Sequence, residues 1–91
     1  MKVIWTDEAT DQLEGIYNFL ARNSELYAQQ LVDKLVARAD ALGDFPLMGR
    51  NQKRYDHPNI RELIVVPYLI VYFVAQDQVE ILTVLHSNQK R

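Results

Sequence analysis

Residues 60–66, 69–75 and 79–86 are three strand-length runs of mostly Val, Ile, Leu, Tyr and Phe, separated only by Pro67-Tyr68 and Gln76-Asp77-Gln78. Breaks this short leave no room for a crossover helix, so neighbouring runs must pair antiparallel. The runs are apolar almost without interruption, which requires shielding of at least the middle strand on both faces. The rest of the chain must supply that cover.

The N-terminal half offers it. Lys2, Val3, Ile4 and Trp5 make a short β-favouring run expected to join the sheet, with Trp5 beneath the helices that follow. Thr6 is placed as an N-cap, and Asp7 and Glu8 lie where a helix dipole favours acids. Ala9, Leu13, Ile16, Tyr17 and Leu20 recur at helical spacing and predict a helix over 7–22. Gly15 within it costs about 1 kcal/mol relative to alanine, which a close crossing would explain. Ser24 caps a second helix, whose stripe of Ala28, Leu31, Leu35, Ala39 and Leu42 ends near Gly43, a C-cap candidate, with Pro46 beyond. Two helices so closely joined form a hairpin.

The order strand, helix, helix, strand, strand, strand predicts an α+β fold. It is a small antiparallel sheet with a helical hairpin packed on one face, in one domain over residues 1–91. The other sheet face is a surface seeking a partner unless another segment covers it. Residues 44–59 have no periodicity and form the longest irregular segment, and 87–91 read as a frayed tail.

Composition narrows the chemistry. The 91 residues include no cysteine, which removes disulfides, thiol chemistry and Cys-ligated zinc. His57 and His86 are too far apart in sequence to suggest a metal site, and no cofactor is expected. No signal peptide and no membrane-spanning run is visible, so the expected location is cytoplasmic. A net charge of −2 and a pI near 5.6 disfavour a broad nucleic-acid-binding face. The charge is uneven. Residues 1–44 hold eight acids and four bases, whereas 45–91 hold four acids and six bases, collected in Arg50, Lys53, Arg54, Arg61, Lys90 and Arg91.

Several stretches together resemble the RelE/ParE superfamily of bacterial type II toxin–antitoxin modules, and within it the ParE branch. They are Trp5-Thr6 with Ala9 and Leu13, Phe45-Pro46-Leu47-Met48-Gly49-Arg50 with its Pro-x-x-Gly-Arg signature, Arg61-Glu62-Leu63, Tyr68-Leu69-Ile70-Val71-Tyr72, and the run from Val79 to His86. The resemblance implies a cognate antitoxin whose C-terminal segment wraps the toxin. It also implies one of two targets: DNA gyrase, poisoned by ParE-type members, or ribosome-bound mRNA, cut by RelE-type members.

RNA cleavage needs a group to activate the 2′-hydroxyl, a cation to stabilise the phosphate and an acid for the leaving oxygen. By the resemblance, Arg61 matches the strand arginine of RelE-like nucleases, His86 falls near their post-strand position, and Lys53 or Arg54 is available to hold phosphate. A tyrosine that often contributes there has no counterpart after Tyr72. The expectation is therefore a gyrase-inhibiting toxin of the plasmid-stabilising type that acts by binding. A ribonuclease and a non-toxic binding module of the same fold are the alternatives. Candidate target or partner contacts are Arg50, Lys53, Arg54, Arg61, Tyr68, Tyr72 and His86.

Each candidate also has a plainer reading. His86 is a polar strand end, and Arg61 pairs with Glu62 or with an acid of the antitoxin. Gly49 lets the loop turn with Arg50 packed back on the fold. Lys53 and Arg54 are solvated, His57-Pro58 is turn material, and Tyr68 and Tyr72 share a strand face as core or interface residues.

Overall fold

In a computed structural model describing residues 1–89, the sheet has five strands in the order β1-β5-β4-β3-β2. They are β1 (Lys2–Trp5), β2 (Arg50–Asn51), β3 (Ile60–Val65), β4 (Tyr68–Val74) and β5 (Gln78–His86). As expected, β3, β4 and β5 form an antiparallel meander. Two features refine the predicted sheet. β1 lies parallel to β5, and the two-residue β2 adds an antiparallel edge on β3. The sheet is therefore mixed.

The helices are α1 (Asp7–Ala21) and α2 (Glu25–Asp40), each within two residues of its expected limits. Thr6 caps α1 by accepting from the Ala9 amide at 3.2 Å, and Ser24 caps α2 by accepting from the Tyr27 amide at 3.1 Å. Thr6 does more. Its hydroxyl donates to the Ile81 carbonyl at 2.7 Å and approaches the Leu82 carbonyl at 3.1 Å, where the β4–β5 register shifts. One hydroxyl thus starts the helix and ties it to the sheet beside a bulge, where ladder pairing is interrupted.

Gly15 and Gly43 behave differently from expectation. Nothing lies within 4 Å of a Cβ built on Gly15, so no close crossing accounts for it. No glycine has positive φ, so Gly43 is not a left-handed cap. α2 instead tightens into a 3-10 turn at Ala41–Gly43. There Met1 N donates to the Gly43 carbonyl at 2.7 Å, and a Cβ on Gly43 would meet the Met1 carbonyl oxygen at 2.5 Å.

The core lies between the hairpin and one sheet face. Ala9, Leu31, Leu35, Ala39 and Leu42 meet Leu63, Val65, Ile70, Tyr72, Val79, Ile81 and Val84, with Trp5 and Leu13 at its margin. The opposite face is not bare. Glu62, Leu69, Val71 and Leu85 are also buried, and the 3-10 turn Lys53–Tyr55 bonds to Glu62. Ile64 is exposed on this face beside Leu69, and other large exposed apolar side chains include Phe45, Leu47 and Met48, Phe19, Leu26 and Tyr27 of the helices, and Val66. Ser87–Gln89 form a 3-10 turn rather than a frayed tail, with the Ser87 amide on the Pro67 carbonyl, while Lys90 and Arg91 lie outside the described residues. Among the described residues no helix is long and apolar enough to cross a membrane.

Candidate functional site

The Pro-x-x-Gly-Arg segment is organised by a residue far from it in sequence. Tyr72, at the centre of the sheet, is 0 % exposed. Its hydroxyl donates to the Pro46 carbonyl at 2.8 Å and accepts from the Gly49 amide at 2.8 Å. Both polar groups at the ends of the turn are thereby satisfied by one buried oxygen. Burial raises the Tyr72 phenol above its ordinary 10.0, against the Gly49 bond and the nearby Arg61 charge.

Gly49 is required by space. A Cβ there would sit 2.6 Å from the Tyr72 hydroxyl and 2.7 Å from the Glu62 carbonyl oxygen. Its role is thus close approach, not an unusual turn conformation. Its own carbonyl accepts from Arg61 Nη1 at 2.8 Å. Arg61 Nε is buried without a partner among the described residues. Arg61 therefore braces the turn from β3 and does not pair with Glu62. Arg50, the next residue after Gly49, is exposed instead of packing back.

Glu62 is paired across the loop. This carboxylate, 2 % exposed, accepts from the Arg54 guanidinium and from the Tyr55 hydroxyl at 2.9 Å. A buried carboxylate needs such partners to remain charged. Arg54 is therefore engaged by Glu62, although the residue itself is exposed. Lys53 stays exposed. Burial and the Glu62 bond raise the Tyr55 phenol above its ordinary 10.0. Tyr55 and the burial of Glu62 were not singled out from sequence; a lone carboxylate in an apolar strand was the available signal.

His86 lies elsewhere. It stands opposite Tyr68 in the β4–β5 ladder, whereas Arg61 stands opposite Tyr72 on the other side of β4. Four residues of strand separate the two rungs, about 13 Å along the sheet, and a strand lies between them. His86 packs edge-on against Tyr68 at 5.3 Å between centroids, and its Nδ1 accepts from the Asn88 amide at 3.2 Å. Tyr68 is buried, which raises its phenol above 10.0. Tyr68 and Tyr72 are core residues on one strand face, as the alternation implied. His57 is turn material, accepting from the Asn59 amide at 3.0 Å. The residues named from sequence are therefore divided. Arg61 and Tyr72 hold the turn before β2, Arg50 and Lys53 are exposed in and just after β2, Arg54 is engaged by Glu62, and His86 and Tyr68 sit at the far end.

A sheet packed against a helical hairpin is a fold this chain shares with a solved structure. One matching solved chain, titled as the chromosomal ParDE TA system from P. aeruginosa, has a TM-score of 0.78 at 22% identity and covers 94% of this chain and 95% of that one. Toxin RelE2 of Caulobacter vibrioides is 36% identical over 87 residues, 94% of each chain. The family described as the ParE toxin of type II toxin–antitoxin system, parDE, matches residues 3–91. The chain belongs to this family and is a toxin of a type II toxin–antitoxin system, with an antitoxin as its partner.

Proposed function

We propose that this toxin acts by binding DNA gyrase, in the cytoplasm, and carries no catalytic set of its own. One observation supports this above the others: Arg61 and His86, the pair a nuclease reading requires, stand on opposite sides of β4 and four residues apart along it. Acid–base groups in one reaction must reach the same phosphate. The Arg61 guanidinium is also held by the Gly49 carbonyl. The antitoxin neutralises the toxin by direct contact.

The ribonuclease reading keeps one support, the name of the Caulobacter relative, Toxin RelE2. Induction of the toxin in cells carrying a reporter plasmid separates the two. Loss of negative supercoiling with intact mRNA is the expected result. Cleaved mRNA on ribosomes with unchanged plasmid topology overturns the proposal.

A further inference from the structure

Arg54 Nη2 and the Tyr55 hydroxyl both donate to one atom, Glu62 Oε2, the phenol at 2.9 Å. A guanidinium and a hydroxyl converging on a single oxygen make a site for an oxyanion, and a phosphate oxygen accepts such bonds as a carboxylate does. Here the anion is built into the chain. Glu62 is buried, and its backbone is fixed in β3 between Arg50 of β2 and Val71 of β4. The loop that carries the two donors has supports of its own. Asn51 Nδ2 donates to the His57 carbonyl at 2.9 Å and to the Ile60 carbonyl at 2.7 Å, and the His57 ring meets Phe73 edge-on at 5.3 Å between centroids. Arg54 and Tyr55 are therefore presented at this place whether or not Glu62 is charged.

The charges around the pair give a phosphate little to bind. Residues 44–62 hold Arg50, Lys53, Arg54 and Arg61 against Asp44, Asp56 and Glu62, a net charge of +1. Arg54 is neutralised by Glu62, and Arg61, next to Glu62 in β3, points to the other sheet face and bonds the Gly49 carbonyl. Tyr55 also lines a hollow of about 360 Å³ over Ile60, Val71, Leu82 and Leu85, where the charged residue among the described lining residues is Glu8. An anion approaching this face meets a carboxylate on either side and a guanidinium already bound.

We infer that Glu62 is a specificity-determining residue that closes this face to RNA: its carboxylate holds the place on Arg54 and Tyr55 that a phosphate of single-stranded RNA would otherwise take. This role rests on the reading above that the toxin carries no nuclease chemistry, and it gives that reading a physical cause. Glu62→Gln keeps the shape and removes the charge, which releases the guanidinium to a phosphate.

The test measures binding of fluorescein-labelled oligouridylate by anisotropy over a series of salt concentrations. It compares wild type, Glu62→Gln, Glu62→Gln/Arg54→Ala and Asp56→Asn, each checked for folding by circular dichroism. Asp56 is an exposed acid of the same loop with φ of 49°, a conformation that asparagine also adopts. Glu62→Gln is expected to bind about threefold or more tighter than wild type. Its log–log salt slope should steepen by about 0.7, the effect of one added phosphate contact on a single strand. The gain should vanish in the double variant, and Asp56→Asn should fall short of it. A gain below about threefold in folded Glu62→Gln, an unchanged slope, or a gain kept without Arg54 or matched by Asp56→Asn overturns the inference. If Glu62→Gln does not fold, the wild-type chain decides. Phenylglyoxal should then modify Arg50 faster than Arg54, and saturating oligouridylate should leave the rate at Arg54 unchanged. Equal rates at the two arginines, or protection of Arg54 by the RNA, overturn the inference. Failure of the gyrase reading is seen separately, as wild-type toxin that cuts mRNA on ribosomes and leaves supercoiling unaffected. Inhibited gyrase with no gain in Glu62→Gln overturns the role of Glu62 alone.

Discussion

The Gly49 amide donates to the Tyr72 hydroxyl at 2.8 Å, linking the loop after α2 to the most buried part of the sheet. The same hydroxyl donates to the Pro46 carbonyl. A Pro-x-x-Gly-Arg sequence thereby becomes one fixed turn. Tyr72→Phe removes both bonds and leaves a buried donor and acceptor unmet. The expected cost is about 1–3 kcal/mol, or roughly 4–8 °C of thermal midpoint per kcal/mol. A midpoint unchanged from wild type would mean that the hydroxyl does not hold the turn.

The glycines give a paired test. Gly49→Ala drives a methyl group against the Tyr72 ring and the Glu62 backbone carbonyl, which cannot easily retreat within the β2–β3 ladder. A loss of about 1–3 kcal/mol is expected, the usual range for overpacking. Gly15→Ala enters open space on α1 and should stabilise by up to about 1 kcal/mol. Urea denaturation of the two variants should move in opposite directions.

Neighbouring cations in the 3-10 turn should differ. Arg54→Ala leaves the Glu62 carboxylate buried with Tyr55 as its one side-chain partner among the described residues, so it should lower the denaturation midpoint. Lys53→Ala, at an exposed position, should leave it unchanged. Equal effects would show that the Arg54–Glu62 pair contributes nothing particular.

Alkaline pH should weaken the fold through its tyrosines. Tyr55, Tyr68 and Tyr72 are all raised above their ordinary 10.0, with burial the first cause in each case. A raised phenol holds its proton more tightly in the folded chain than in the unfolded one. Its contribution is complete below the unfolded value and is lost as pH climbs from about 10 through the folded value. Denaturation midpoints should be insensitive to these groups at pH 8–9 and fall above 10. Tyr72→Phe should make that fall shallower, whereas an unaltered slope would exclude Tyr72 from it.

Much of this fold was legible because its signals are local. The three apolar runs announced the meander, and Thr6 and Ser24 marked two helix starts that the structure retains. What escaped depends on partners distant in sequence. β2 is two exposed residues whose strand character comes only from pairing with Arg61 and Glu62. The parallel pairing of β1 joins Lys2 to Gln78, which no local pattern encodes. Arg61 looked like the natural partner of Glu62, but adjacent strand residues point to opposite faces. The loop instead returns Arg54 to that carboxylate. The basic residues were visible as a group, while their division between bracing, ion pairing and exposure needed the folded loop.

Supercoiling by purified gyrase, titrated with wild-type toxin and with His86→Ala alongside a ribosome-bound mRNA cleavage assay, tests the central claim most directly. The account predicts that both proteins inhibit supercoiling with closely similar potency and that neither cuts mRNA. Cleavage of mRNA by wild type, reduced about 100-fold or more in His86→Ala as expected for a lost acid–base group, with supercoiling unaffected, would contradict it.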